Sequence, residues 1–138
     1  MKVQDIMTTD VVKICPQETA DVAARTLEHY NIGALPVCGL DDRLQGMLTD
    51  RDLVVRCLAS GKQGGTLVAD LMTKQVITVT PETEVAEAAA IMGRNQIRRL
   101  PVVEGRSVCG MLSLGDISAH SQSAAGALSA ISSGLSRR

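Results

Sequence analysis

The sequence predicts an α/β protein (α+β in some schemes) built from two β-α-β-β-α repeats packed sheet to sheet about a pseudo-twofold axis. Three observations lead there. First, VQDIMTTDVVKICPQETADVAARTLEHYNIGALPV, from Val3, recurs as VADLMTKQVITVTPETEVAEAAAIMGRNQIRRLPV, from Val68, at a constant offset. About a third of the aligned positions are identical, far above the level of unrelated segments, so the chain is a duplication. Second, each copy switches between helical and strand periodicity in the same order. Third, a half this small cannot bury both faces of a sheet alone, so the copies are expected to cover one another, creating two related clefts at their interface.

Each element has its own signal. A short segment around Asp5, Ile6 and Met7 leads to an alternating strand, Val11 to Ile14, closed by Pro16. A helix is predicted from Thr19 to His29 with Val22, Ala23, Thr26 and Leu27 on its inner face. Then come a strand from Ala34 to Cys38, a polar turn from Gly39 to Arg43, a strand from Leu44 to Thr49 and a second helix from Asp50 to about Ala59. After a single-residue deletion the second copy repeats the pattern, GMLTDRDL from Gly46 answering GMLSLGDI from Gly110. Gly61, Lys62, Gln63, Gly64 and Gly65 are expected to form a flexible joint. The divisions are therefore 1–62, 63–120 and 121–138. The last is rich in Ser, Ala and Gly with Leu128, Ile131 and Leu135 at helical spacing, and reads as a weak amphipathic helix or a frayed tail.

Composition narrows the function. Of the 138 residues 45% are hydrophobic and 21% charged, which excludes a disordered chain, and no apolar run approaches the ~20 residues of a membrane span. The start carries acids and no apolar stretch of a secretory signal, so a cytoplasmic protein is expected. A net charge of −1 without a basic stripe, and Tyr30 as the one aromatic residue, argue against nucleic acid as partner. Any adenine would have to lie between aliphatic side chains. Cys15, Cys38, Cys57 and Cys109 include no C-x-x-C pair, and His29 and His120 lie far apart, so no metal site is expected. Cys15 and Cys38 fall at strand ends of the first half, where the second has Thr80 and Val103, and could be neighbours able to form a disulfide. There is no P-loop, no G-x-G-x-x-G, no H-E-x-x-H and no nucleophile elbow, so no catalytic residue is assigned and the chain does not read as an enzyme.

Chemistry is concentrated where a Gly and two apolar residues run into a hydroxyl, followed by Asp: Gly46 to Thr49 with Asp52, and Gly110 to Ser113 with Asp116. Each hydroxyl ends a strand and each carboxylate falls in the next helical turn, at the strand's carboxyl end where α/β layers hold ligands. A carboxylate can accept from both hydroxyls of a ribose, with Thr or Ser donating or accepting beside it. The same residues also spell a helix-capping box, which needs no ligand, and the two roles can coexist.

The doubled pattern D-[IL]-M-T, V, P, L-P-V and G-M-L-[TS]-x-x-D resembles tandem CBS domains, from Val3 to Ile117, and the first half is similar to bacterial stand-alone members of the hypoxic response type. That resemblance implies a regulatory module binding an adenosine-containing nucleotide, whether AMP, ADP, ATP, S-adenosylmethionine or NAD, in clefts between the repeats. No further cofactor is required. It implies Thr49 with Asp52, and Ser113 with Asp116, as ribose-binding pairs, and a disc-shaped homodimer acting on a regulated partner protein. Arg98 and Arg99 stand where related modules place cations against phosphates, whereas the first half has Gly33 and Ala34; a solvated sheet edge is the other reading. Arg51 is a weaker phosphate candidate. The alternative function is a ligand-free interaction protein or a redox or stress-response protein. A homodimer is also expected because the helix faces at Val22 to Leu27 and Val85 to Met92 are more apolar than solvent requires.

Overall fold

The computed structural model describes residues 1–120, so the helix or tail expected at 121–138 lies outside the described residues. The elements are α1 (Ala20–Tyr30), β1 (Ala34–Cys38), β2 (Leu44–Thr49), α2 (Asp50–Asp52), α3 (Val85–Asn95), β3 (Arg99–Glu104), β4 (Ser107–Ser113) and α4 (Leu114–His120). Mixed helices and small sheets make this the expected α+β class.

The first helix forms for local reasons. Thr19 caps it by accepting from the Val22 N–H at 3.5 Å, and Asn31 closes it in the left-handed region at φ 54, a conformation Asn adopts readily. Ala20, Ala23 and Leu27 follow helical spacing and are buried. In α3 the corresponding stripe is Val85, Ala88, Ala89 and Met92. The apolar faces that suggested a dimer are thus spent on core: the α1 stripe packs with Ile14, Leu35, Val37, Leu48, Val68 and Leu71, the α3 stripe with Val3, Val79, Leu100, Val102, Leu112 and Ile117.

Each half contains one antiparallel hairpin, β1 with β2 and β3 with β4, each with a register shift, at Val37/Cys38 and at Val102/Val103. The strand expected at Val11 to Ile14 is reduced to one parallel bridge, Ile14 to Val37. Ile14 donates to the Pro36 carbonyl at 3.1 Å and its own carbonyl receives the Cys38 N–H at 2.9 Å. With Pro16 two residues on, the segment makes no further bridge. Val79 does the same beside β3, donating to Pro101 at 3.1 Å. On the far side of each hairpin lies another single bridge, Met47 to Thr73 and Met111 to Thr8. Both hairpin edges are therefore covered, which guards them from pairing with other chains.

Those bridges divide the chain differently from its repeats. One compact unit is Val12–Val76; the other is Met1–Val11 with the described chain from Ile77 to His120. The segment that opens each repeat completes the other repeat's unit. In the first unit Ala20 N–H donates to Thr66 at 2.8 Å, Asp21 N–H to Gly64 at 2.9 Å, and Val68 N–H to Glu18 at 2.8 Å. In the second, Val85 N–H donates to Met1 at 2.9 Å and Val3 N–H to Thr83 at 2.8 Å. The Gly61 to Gly65 stretch, expected as a flexible joint, is accordingly tied at Gly64, and Lys62 N–H donates to the Cys57 carbonyl at 2.8 Å.

Gly46 and Gly110 are required by this arrangement. A Cβ on Gly46 would stand 2.8 Å from both Met72 Sδ and the Thr73 carbonyl, and one on Gly110 would stand 2.6 Å from Met7 Sδ and 3.1 Å from the Thr8 carbonyl. The M-T of each repeat's opening segment crosses directly over these glycines.

Candidate functional site

Two strand-to-helix junctions carry the candidate site. In the first, β2 ends at Thr49, whose register partner is Ala34, and the Asp50 N–H donates to the Gly33 carbonyl at 3.0 Å. In the second, β4 ends at Ser113, paired with Arg99, and the Leu114 N–H donates to the Arg98 carbonyl at 2.8 Å. Backbone pairing alone thus fixes where each helix begins.

Both junctions close a reciprocal box. The Asp52 N–H donates to Thr49 Oγ1 at 3.0 Å while Asp52 Oδ2 accepts the Thr49 N–H at 2.9 Å. The Asp116 N–H donates to Ser113 Oγ at 3.0 Å while Asp116 Oδ2 accepts the Ser113 N–H at 2.9 Å. All four residues are half-buried. The box uses one oxygen of each carboxylate and one lone pair of each hydroxyl. What remains at each junction is the second carboxylate oxygen, an acceptor, and a hydroxyl still able to donate. That pair can accept and donate hydrogen bonds to a polar group placed against it.

The second junction is flanked in the backbone by Arg98 and Arg99. Arg98 and Arg99 are exposed at the start of β3, and both are joined to the Ser113 junction through their backbone. The first junction has Gly33 and Ala34 in their place. Arg51 is exposed on α2, its N–H donating to the Asp50 carboxylate at 2.8 Å.

One charged neighbour is absent from the sequence expectation. After α2 the chain continues as a π-helical segment, Leu53–Leu58, and Arg56 within it brings Nε to 3.8 Å from Asp52 Oδ1. Its Nη1 donates to the Leu71 carbonyl at 3.1 Å and the Met72 carbonyl at 3.0 Å. The four-residue spacing from Asp52 to Arg56 was a readable signal for an ion pair. In the second repeat the equivalent residue is His120, whose Nδ1 lies 2.9 Å from the Asp116 backbone carbonyl.

Cys15 and Cys38 are both free thiols, Cys15 exposed and Cys38 buried. Among the described residues no group of three or more His, Cys, Asp or Glu side chains is gathered so as to hold a metal ion. Nor, among them, is any helix long and apolar enough to cross a membrane.

A duplicated small α+β domain, each copy ending its hairpin in a hydroxyl and carboxylate box, defines the class of protein. The CBS domain family matches residues 3–58 and 68–122, and the chain belongs to it. It is 37% identical over 129 residues to the CBS domain-containing protein YhcV of Bacillus subtilis, covering 94% of this chain and 91% of that one. It is 38% identical over 118 residues to Hypoxic response protein 1 of Mycobacterium tuberculosis, covering 85% and 82%. Among solved structures, Hypoxic Response Protein I with two coordinated zinc ions superposes with a TM-score of 0.80 at 36% identity, over 87% of this chain and 98% of that one. The CBS domain pair of protein MJ0100, solved with 5-methylthioadenosine and S-adenosyl-L-methionine, superposes with a TM-score of 0.76 at 29% identity, over 86% and 94%.

Proposed function

We propose that this CBS pair is a regulatory sensor of an adenosine-containing ligand, with Thr49 and Asp52, and Ser113 and Asp116, as its ribose contacts. The observation that carries the reading is the doubled box, which in both halves leaves a carboxylate oxygen and a hydroxyl at the end of the hairpin. A related CBS pair solved with two adenosine compounds supports the choice of ligand class. Arg98 and Arg99 add charge at the second junction, so a phosphate-bearing ligand would be held best there. The module has no catalytic role in this reading: binding changes what a partner protein meets, without turnover. The working form is a homodimer in the cytoplasm. With the α1 and α3 faces spent on core, exposed Val54, Val55 and Leu58 of the π-helical segment are the apolar surface offered to the second copy.

The test is a thermal-shift panel of AMP, ADP, ATP, S-adenosylmethionine and NAD. A ligand at about 100 times its dissociation constant adds roughly 2.7 kcal/mol, a rise of several degrees for a chain of this size. Asn in place of Asp52 or Asp116 keeps the shape and much of the cap while removing the charged acceptor. Stability should barely move, and binding at the altered site should fall ten- to a hundredfold. If both variants bind as wild type while either loses more than about 1 kcal/mol of stability, the aspartates are helix caps only.

A further inference from the structure

We infer that Arg56 holds the first ribose site in a weakened state, so that the Ser113–Asp116 junction is the one that responds first to an adenosine ligand. The inference rests on the ribose reading of the two aspartates. It starts from the one oxygen each box leaves over. Asp52 Oδ1 faces a guanidinium nitrogen at 3.8 Å, and a paired carboxylate is a poorer acceptor for an incoming hydroxyl. The guanidinium is held from behind, because its Nη1 donates to the carbonyls of Leu71 and Met72 and cannot swing aside without giving up both bonds. Asp52 is the less exposed partner, at 13% of its side-chain surface against 47% for Arg56, so the ion pair lies on the half-buried side of the junction.

Among the described residues the second junction has no such competitor. His120 takes the equivalent place, and its ring lies against the backbone carbonyl of Asp116 at 2.9 Å, not against the carboxylate. Asp116 has no ion pair among the described residues. Two boxes of matching geometry therefore differ in the one atom that a ribose would use. Arg56 is in this sense a specificity residue acting through Asp52, with no contact to the ligand required of it.

A calorimetric titration with adenosine tests this, since adenosine carries the ribose without the phosphates that Arg98 and Arg99 would attract. In the wild-type chain Asp116→Asn should weaken the tighter binding event ten- to a hundredfold, and Asp52→Asn should leave it within about twofold. In the Asp116→Asn background, Arg56→Gln should strengthen the remaining site about three- to fivefold, the scale of a partly exposed ion pair. Arg56→Lys in that background keeps the cation and should leave the site weak. A general effect of losing the Leu71 and Met72 bonds would instead weaken binding in the Gln variant. Equal damage from the two aspartate variants, or no gain from Arg56→Gln, overturns the role of Arg56 while leaving the ribose sites standing. No adenosine binding by any form, wild type included, overturns both.

Discussion

Cys38 sits at the end of β1 with 4% of its surface exposed, and burial pushes its thiol from 9.0 up to about 11. Lys13, which pairs with Asp42 at 3.0 Å, pulls it down somewhat, and Asp42 and Cys15 push it further up. The folded state therefore holds the proton more tightly than the unfolded chain does. The stability this contributes is complete below about pH 9 and is lost as pH rises through about 11. Cys38→Val, which installs the residue found at Val103, should flatten that alkaline decline in a series of denaturation curves. An unchanged pH profile would remove Cys38 as its cause. Cys15 and Cys38 each follow a residue of the Ile14–Val37 bridge, and Cys15 is near enough to act on the Cys38 thiol. Peroxide would oxidise exposed Cys15 to the sulfenic acid with release of water, and Cys38 would displace a second water to form the bond. Mass spectrometry of peroxide-treated protein should find Cys15 joined to Cys38; finding Cys57 or Cys109 joined instead would discard the pairing.

Elements differ in how openly the sequence declares them. The helices and hairpins follow from apolar spacing and from the turn at Gly39 to Arg43, and the Thr49 to Asp52 box is written directly in the residue types. The π winding of Leu53–Leu58 has no such mark, since its apolar pattern suits an α-helix equally well. Val11 to Ile14 alternates as a strand does yet makes one bridge, because alternation reports a half-buried face and says nothing of how many bridges a partner offers. Least legible is the exchange of opening segments. Met7 with Thr8 and Met72 with Thr73 are the same dipeptide, so composition permits either to cross either glycine. Adding a methyl group tests the crossing: Gly46→Ala must displace the Thr73 carbonyl as well as Met72, and should cost about 1–3 kcal/mol in chemical denaturation. Gly110→Ala meets Met7 Sδ first and the Thr8 carbonyl at 3.1 Å, so a flexible side chain can absorb more of the strain and its cost should be smaller. Equal stability of the wild type and Gly46→Ala would mean that the segment does not cross there.

At the scale of the whole molecule, the proposed homodimer would use exposed Val54, Val55 and Leu58, with Leu58 at 70% exposure the most open of them. Sedimentation should report about twice 14.6 kDa, and Leu58→Glu should shift the protein toward monomer while leaving its thermal midpoint within a few degrees. A monomer in the wild type at micromolar concentration would assign that surface to another protein.

The crossed opening segments also set an order in time. As the chain leaves the ribosome, the unit Val12–Val76 has all its parts once Val76 has emerged, and it can close from contacts near in sequence. The other unit cannot. Met1–Val11 is made before Val12–Val76, yet Thr8 finds its partner only when Met111 arrives, so this bridge waits for chain made much later. Val3 meets Thr83 before Thr8 can meet Met111, and closing so long a loop is slow. A chain halted before residue 111 would hold the unit Val12–Val76 with Thr8 still lacking its partner on β4.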